Sequence, residues 1–211
     1  MSDMVTGVVR KKVVLRREEI LDATVEQIKQ RGIAATRITD VAGALGVSSG
    51  LIYYHFETKE QLIEATFAHA ARNELDAARA VLSRPAPVVT RLKALLRVYS
   101  PAAKAVPGWR LWIDGYSAGL RDRGLMEVMQ DLDGEWKKIF TSLIEEGMAS
   151  GDFHCADARA ATWRITLFLD GLAVQMVARR GALKRDEAMQ WMRERTAAEL
   201  GIDPEALGPR R

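Results

Sequence analysis

Cysteine, proline and long apolar runs are all scarce in this chain of 211 residues, and each scarcity excludes a class of protein. The single cysteine, Cys155, excludes an intramolecular disulfide, so nothing requires an oxidising compartment. Six prolines and sixteen glycines exclude collagen-like and Pro/Gly-rich low-complexity chains. The longest apolar stretch, residues 165–178, is interrupted by Asp170 and is too short to span a bilayer. No apolar segment follows the basic residues near the N-terminus, so we expect no signal peptide, no membrane partner and a cytoplasmic location.

The charge of the chain is concentrated at its N-terminal end. The formal net charge is +3, yet residues 1–17 carry five basic side chains against Asp3 alone, a net +4, which leaves −1 for the rest. A basic arm over residues 1–15, continued by Arg16 and Arg17, is typical of nucleic-acid binding. A solvated tail would have the same composition, so the arm alone does not decide between the two.

Apolar residues recur at helical spacing along most of the chain, and no segment alternates as a strand does. The spacing predicts an all-α protein of about nine helices, over residues 17–31, 38–45, 49–56, 59–82, 88–105, 108–120, 123–149, 157–180 and 185–200. Pro101 is expected to kink the fifth helix, and Pro107 with Gly108 to end it. All five tryptophans lie beyond residue 100, which favours a small N-terminal domain (16–65), a larger helical domain (66–203) and a tail (204–211).

Residues 37–56 have the pattern of a helix-turn-helix. A two-turn amphipathic helix ends at Gly46, and Ser48 is placed to cap a second helix of about eight residues. In that second helix, Ile52 and Phe56 are four residues apart and must face the core, which leaves Tyr53 and Tyr54 outside. Exposed tyrosines need a partner. That partner is DNA if this is a DNA-binding motif, or another subunit if it is only a helical hairpin in a bundle.

The order and spacing of these residues resemble the DNA-binding domain of the tetracycline-repressor (TetR) family. The resemblance covers about residues 16–65 and is carried by "ITDVA" from Ile38, "GVSSGLIYYHF" from Gly46 and "TKEQL" from Thr58. The last segment is also a capping box, in which Thr58 and Gln61 satisfy amides at the start of a helix, and the amides left over suit a phosphate. The resemblance implies double-stranded DNA as a partner.

The resemblance also assigns roles by position. It places base contacts at Ser49, Gly50 and Leu51, and phosphate contacts at Tyr53, His55 and Lys59, while Arg37 and Thr39 contact DNA from the preceding helix. The full set of expected DNA-binding residues is Arg16, Arg17, Arg37, Thr39, Ser48, Ser49, Gly50, Leu51, Tyr53, Tyr54, His55 and Lys59. Leu51 and Arg37 stand where the family often has threonine. An apolar Leu51 suits a thymine methyl group better than a hydrogen-bonding base edge.

The C-terminal half contains no catalytic or cofactor-binding motif. It lacks GxSxG, Walker A, HExxH and paired Cys-x-x-Cys patterns, so no enzyme and no cofactor are predicted. His154 and Cys155 are the one pair of soft ligands, and we interpret them as part of a loop rather than a metal site.

Aromatic and methionine side chains are dense in the C-terminal half and suggest a small-molecule pocket, although core packing explains the same composition. Trp109, Trp112 and Ile113, with the Asp170-Gly171-Leu172 segment, loosely resemble the TetR subset that includes the choline-responsive repressor of betaine synthesis. The resemblance implies an apolar, aromatic or cationic effector, held by an aromatic cage with Asp114 or Asp170 as countercharge. The candidate pocket residues are Tyr99, Trp109, Trp112, Asp114, Tyr116, Met126, Met129, Trp136, Phe140, Trp163 and Asp170.

The last two predicted helices carry apolar residues that suit either the monomer core or a four-helix dimer interface. The family resemblance favours the interface, and a helix-turn-helix this small needs two half-sites. The candidate interface residues are Phe168, Gly171, Leu172, Gln175, Met189 and Met192. The sequence therefore predicts a homodimeric transcriptional regulator, a repressor released from a palindromic operator by a small molecule. The alternatives are a helical enzyme and an interaction module that keeps the fold without binding DNA.

Overall fold

The computed structural model describes residues 16–101, 106–179 and 183–208, so the basic arm expected over residues 1–15 lies outside it. Its architecture is all-α, as predicted, and a short 3-10 turn follows the last helix at Pro204–Leu207. The helices are α1 (Arg17–Arg31), α2 (Ile38–Leu45), α3 (Ser49–His55), α4 (Lys59–Leu82), α5 (Val88–Tyr99), α6 (Val106–Gly119), α7 (Arg123–Ser150), α8 (Ala158–Val177) and α9 (Arg185–Leu200).

The first three helices and the start of α4 enclose a small core of their own. Its buried members are Ile20, Leu21, Ile38, Val41, Ala42, Ile52, Phe56 and Leu62. The predicted inward positions of Ile52 and Phe56 are confirmed, since both are buried. The turn between α2 and α3 contains Gly46 at φ +66°, a left-handed conformation that costs glycine little and ends α2 with an amide-to-carbonyl bond.

The two predicted helix caps differ in outcome. Ser48 occupies the N-cap position of α3, but its side chain makes no capping hydrogen bond, so that part of the prediction is wrong. The Thr58 hydroxyl does cap α4, because it accepts a hydrogen bond from the Gln61 amide at 3.1 Å. The Gln61 side chain then accepts from the Glu57 amide, one residue earlier than the capping box predicts.

The remaining helices form a larger core around α4 and α7. Helix α4 packs against α1, α5, α6 and α7, while α8 packs between α7 and α9. The largest fully buried side chains of this core include Phe67 and Phe140. Ile28, Ile33 and Ile63, although within residues 16–65, belong to this larger cluster, so the two domains share a packed boundary.

The structure corrects the sequence-based prediction at three helix boundaries. The fifth helix ends at Tyr99 rather than 105, because Pro101 disfavours the helical conformation of the residue before it and so ends the helix instead of kinking it. Pro107 and Gly108 lie in the first turn of α6, where proline is tolerated, and therefore do not end a helix. The expected tail is partly structured, since Leu207 is buried in the larger core.

The described residues contain neither a candidate membrane span nor a candidate metal cluster. No helix in that part of the chain combines the length and apolarity needed to cross a membrane. Across residues 16–101, 106–179 and 183–208, no three His, Cys, Asp or Glu side chains come together as a potential metal site. His154 and Cys155 lie in the connection between α7 and α8, as expected.

Candidate DNA-binding surface and ligand pocket

Helix α3 is short, and its position is fixed almost entirely by its two buried side chains. With Ile52 and Phe56 in the small core, the helix turns Tyr53 and Tyr54 outward, and Tyr54 is 83% exposed. The Tyr54 ring packs edge-on against the ring of His55. The outer face of α3 thus presents hydroxyls, aromatic edges and an imidazole. Among the other predicted contacts, Ser48 and Gly50 are exposed, whereas Ser49, Leu51 and His55 are half-buried.

Basic and polar side chains expected to contact DNA flank α3, but not all of them point freely into solvent. Arg37 and Thr39 are exposed at the start of α2. The Arg17 guanidinium lies 4.8 Å from the centre of the Phe56 ring, so its cation–π contact joins α1 to the end of α3. The Lys59 ammonium donates to the Ala34 carbonyl oxygen at 3.1 Å and so links α4 to the loop before α2. Arg16 is exposed at the N-cap of α1.

A cavity of about 430 Å³ lies in the larger domain between α4, α5, α6 and α7. Its lining combines five aromatic rings, two carboxylates and one exposed arginine with small or polar residues. The lining residues are Asn73, Glu74, Ala77, Arg97, Val98, Tyr99, Trp109, Trp112, Tyr116, Asp133 and Trp136. Its size suits a small organic molecule.

The aromatic rings of the cavity hold one another edge to face. Tyr99 contacts Trp109 and Trp136 with ring centres 5.4 and 5.0 Å apart and nearly perpendicular planes. The Trp109 indole N–H donates to the Tyr99 carbonyl at 2.8 Å, and the Trp112 indole N–H donates to Glu74 at 3.3 Å. Since both indole donors are already engaged, these two rings have only their π surfaces to offer a ligand, and π surfaces attract cations.

Glu74 brings a carboxylate to the wall of this cavity. Burial raises its pKa above the ordinary glutamate value, while the hydrogen bond from Trp112 acts in the opposite direction. Its carboxylate lies against the first turn of α6 at Gly108, where a Cβ would come within 1.9 Å of a carboxylate oxygen. Glycine is therefore required at position 108 for Glu74 to reach the cavity in this rotamer. In the described part of the chain, Glu74 forms no ion pair.

Two further carboxylates, Asp133 on α7 and Asp170 on α8, lie in and beside the cavity. Asp133 lines the cavity and forms an ion pair with Lys137 at 2.5 Å. Asp170 accepts a hydrogen bond from the Tyr99 hydroxyl at 2.8 Å. Burial raises the pKa of Asp170 to about 6, despite opposing effects of that hydrogen bond and of Lys137. The same burial and the Asp170 charge raise the pKa of Tyr99, which remains a neutral donor. The cavity is therefore acidic as well as aromatic.

Six of the predicted pocket residues do not line the cavity. Asp170 is connected to it only through the hydrogen bond from Tyr99, and the other five lie elsewhere. The Asp114 carboxylate accepts a hydrogen bond from the Ile33 amide at 2.6 Å, and this contact joins α6 to the end of α1. Met129 and Phe140 are buried in the core behind the cavity. Met126 packs against Gly119. Trp163 is exposed on α8, with the Lys137 ammonium 4.3 Å from its ring centre. The prediction placed these side chains at the ligand because it selected them by residue type alone.

Glu74, Asp133 and Arg97 line the cavity and were missed by the sequence analysis. A signal for the two acids existed in the helical periodicity. Glu74 is four residues before buried Ala78 on α4, and Asp133 is four residues after buried Met129 on α7. An acidic residue on the apolar face of a helix is costly to bury and so is a candidate for a functional role.

The candidate dimer residues divide between the core and the surface. Leu172 and Met192 are buried within the chain's own core, so the expectation that they face a partner needs correction. Phe168, Gln175 and Met189 are half-buried, and Gly171 is exposed with open space where a Cβ would be. The outward face of α8 instead presents Trp163, Leu167, Gly171 and Val174, and α9 adds Trp191. We call these five residues the α8–α9 outer face.

Comparison with known proteins agrees with this architecture. Residues 20–66 match the family described as bacterial regulatory proteins, tetR family, and residues 88–201 match BetI-type transcriptional repressor, C-terminal. The HTH-type transcriptional regulator BetI of Burkholderia cenocepacia is 27% identical over 161 residues, which are 75% of this chain and 80% of that protein.

Two solved structures share the fold. A putative transcriptional regulator from Saccharomonospora viridis in complex with choline has a TM-score of 0.77 at 24% identity and covers 84% of this chain and 93% of its own. The transcriptional regulator FadR from Bacillus subtilis in complex with stearoyl-CoA has a TM-score of 0.70 at 19% identity, with 89% and 100% coverage.

A helix-turn-helix unit joined to a helical domain that has its own pocket defines a DNA-binding transcriptional regulator rather than an enzyme. The chain belongs to the TetR family of bacterial regulators and carries a BetI-type C-terminal domain.

Asp170 predicts a specific pH dependence of folding stability. Its pKa is higher in the folded protein than the ordinary value of 3.8, so the folded state binds the proton more tightly, and stability falls as pH rises through that interval to about 6. Asp170→Asn keeps an oxygen for Tyr99 but cannot ionise. Between pH 5 and pH 8 the wild type should therefore lose about 1.4 kcal/mol of unfolding free energy relative to the variant, measured by chemical denaturation. A difference that is constant between the two pH values would contradict the shift.

Proposed function

We propose that this regulator is a homodimeric repressor that binds a pseudo-palindromic operator and is released when a small organic cation enters the aromatic cavity. The DNA-binding part of the proposal rests on α3, a two-turn helix anchored by Ile52 and Phe56 with Tyr53 and Tyr54 left in solvent. A helix of this size presents enough surface for one major-groove half-site and no more. Two subunits are needed to read two successive grooves.

Positive charge near α3 supports contact with the DNA backbone. Arg16 and Arg17 precede and begin α1, and Arg37 precedes α2, all of them exposed. The α4 N-terminus adds backbone amides, and a helix N-terminus favours an anion such as phosphate. Each phosphate that a dimer neutralises releases counterions, so binding should weaken steeply as salt concentration rises.

The salt dependence of DNA binding tests this part. For a duplex from the region upstream of the protein's own gene, the log–log plot of affinity against salt should have a slope of roughly −5 or steeper, as for six or more phosphates per dimer. Arg37→Gln should weaken binding and make the slope shallower by about one for each phosphate that the arginine no longer neutralises. Arg84→Gln is the matched control, since exposed Arg84 follows the far end of α4. A nearly flat wild-type slope would refute the electrostatic argument.

The α8–α9 outer face supports a dimer formed by a second copy of the chain. Trp163, Leu167 and Val174 lie along one side of α8, and Leu167 is 59% exposed. The open space at Gly171 allows a partner helix to approach closely. Apolar side chains repeated along one helix face are what a symmetric helical interface would cover, and the neighbouring helix α9 adds the exposed Trp191.

Leu167→Glu tests this face without disturbing the core. The substitution should place an unpaired charge in the interface and yield folded monomers that no longer bind the operator, as measured by sedimentation velocity and DNA titration. Leu120→Glu makes the same change at a residue that is more exposed but lies at the turn between α6 and α7, and it should remain dimeric. If Leu167→Glu stays dimeric at micromolar concentration, the interface lies elsewhere.

The composition of the cavity supports a cationic ligand. Tyr99, Trp109, Trp112, Tyr116 and Trp136 provide π surfaces, and Glu74 supplies a partly buried carboxylate without an ion-pair partner in the described structure. Quaternary ammonium groups are recognised by such aromatic cages. The related structure that contains choline makes choline a reasonable first probe. Arg97, exposed at the cavity wall, interacts with whatever polar group the ligand leaves near solvent.

Helix α6 provides a direct connection between this cavity and the DNA-binding domain. It carries Trp109, Trp112 and Tyr116 into the cavity, and its Asp114 accepts the hydrogen bond from Ile33 at the end of α1. A ligand that shifts α6 must shift or break that contact. If the ligand binds one arrangement of α6 more tightly than the other, it weakens DNA binding by the same free energy.

Choline titration with and without DNA tests the ligand part. Tryptophan fluorescence should change on binding, and saturating choline should lower DNA affinity about 5- to 150-fold, the usual range of allosteric coupling. Choline affinity should rise with pH, because burial raises the pKa of Glu74 and the cation binds its ionised form.

Glu74→Gln should weaken choline binding and remove that part of the pH dependence. The matched control is Glu64→Gln, which alters another α4 carboxylate whose pKa is raised by burial but which does not line the cavity. Equal choline affinity in wild type and Glu74→Gln would exclude Glu74 as the countercharge. Equal DNA affinity with and without bound choline would mean that the cavity is not the switch.

A further inference from the structure

We propose that Lys137 is an internal competitor for the ligand's cation: its ammonium occupies the cavity carboxylate Asp133 and is displaced towards the outside of α8 when a cationic ligand binds. The proposal rests on the proposed cation-binding function and adds a residue that sets the affinity and charge selectivity of the same site. It also identifies a path from the cavity to the α8–α9 outer face.

The Lys137 ammonium is held in one place by three contacts. It lies 2.5 Å from both carboxylate oxygens of Asp133, one turn earlier on α7. It also lies 4.3 Å from the centre of the Trp163 ring on α8. Its side chain is only 14% exposed, and it is close enough to Asp170 to lower the pKa of that group. This lysine therefore serves as the cation of the acidic pair formed by Asp133 and Asp170.

The Asp133 carboxylate contacts both the cavity and Lys137. It lines the cavity that contains the aromatic cage, and its oxygens are already engaged by Lys137. A quaternary ammonium that enters the cage is attracted by Asp133 and repelled by Lys137, whose ammonium lies 2.5 Å from the Asp133 carboxylate oxygens. In a partly buried site these effects are screened far less than in water, so the lysine charge must reduce the affinity for a cation.

The Lys137 ammonium can move to a second polar site when it leaves Asp133. A second cavity of about 350 Å³ lies on its other side, between α7 and α8. Thr141, Ser142 and Glu145 line this second cavity and offer hydroxyl and carboxylate oxygens as acceptors. Movement away from Asp133 therefore does not leave a buried ammonium without partners, a condition that would otherwise prevent displacement. Two cations, Lys138 and Arg159, line the same cavity and oppose further movement outward.

Displacement of Lys137 changes a contact on the surface proposed for dimerisation. Trp163 belongs to the α8–α9 outer face, and Lys137 is the cation that lies over its ring. A ligand that moves the ammonium therefore alters the environment of Trp163 without touching it. This second route from the cavity leads to the dimer face, whereas α6 leads to the DNA-binding domain.

The test compares choline with 3,3-dimethylbutan-1-ol, which has the same shape without the charge, in the full-length wild type and three variants. Lys137→Met keeps an unbranched side chain that is one atom shorter and carries no charge. It should raise choline affinity about tenfold, the effect of removing one like charge beside a partly buried site. The affinity of the neutral alcohol should not change. Lys137→Arg should retain the wild-type ratio of the two affinities, and Lys184→Met, which removes an exposed charge at the start of α9, is the control for a general loss of positive charge.

Each outcome separates this proposal from the proposed ligand class. Choline binding that is equal in wild type and Lys137→Met overturns the role of Lys137 and leaves the cation site standing. A parallel gain for choline and for the alcohol also overturns it, because a packing effect would not depend on charge. Choline binding detected only after Lys137→Met supports it, since the competitor would then mask the site. No choline binding by any variant overturns both the cation site and the competitor.

Discussion

The apolar stripe of α4 is the constraint on which the rest of the structure depends. This helix of 24 residues is about 36 Å long, and its buried face runs from Leu62 in the small core to Val81 in the larger one. Burial of that stripe requires α1 at one end and α7 along most of the length. Because one rigid helix is shared by both cores, the DNA-binding unit cannot change its angle without a change in the packing around α4.

The acidic residues in and beside the cavity are tolerated because the surrounding helices compensate for their burial. Glu74 interrupts the apolar stripe of α4. It accepts a hydrogen bond from the Trp112 indole, and the absence of a side chain at Gly108 leaves room for its carboxylate. Asp133 interrupts the apolar stripe of α7 and forms an ion pair with Lys137. Asp170 accepts a hydrogen bond from the Tyr99 hydroxyl. Apolar side chains at these positions would give a more stable core, since buried ion pairs seldom exceed hydrophobic packing in stability. A charged ligand, as proposed above, would explain their presence better than folding does.

Local sequence patterns predicted the DNA-binding motif well. They could not predict which side chains of the larger domain face the core, the cavity or solvent, because tertiary packing determines that. Gly46, Ile52 and Phe56 follow from spacing within one or two turns, so their positions could be predicted from sequence. Helix α8 is apolar around much of its circumference, so sequence alone cannot tell that Leu172 faces the chain's own core and Leu167 faces solvent. Trp163 was assigned to the cavity because it is aromatic. Whether an aromatic side chain reaches the cavity depends on which face of its helix is turned inward, and residue type does not determine that. Glu74 could have been predicted as a cavity residue because it is a charged residue on the apolar face of a helix.

The two connections out of the cavity imply different consequences for DNA binding. Two recognition helices enter successive major grooves only at a separation of about 34–36 Å, so release requires a change in their spacing or orientation. Under the proposed function, the cavity would act through α6 and Asp114 on the DNA-binding unit of its own subunit. Through Lys137 and Trp163, it would act on the surface that relates one subunit to the other. A ligand that only fills the cavity without moving α6 or Lys137 would therefore bind without releasing DNA, because binding energy shifts an equilibrium only where the two states bind the ligand differently.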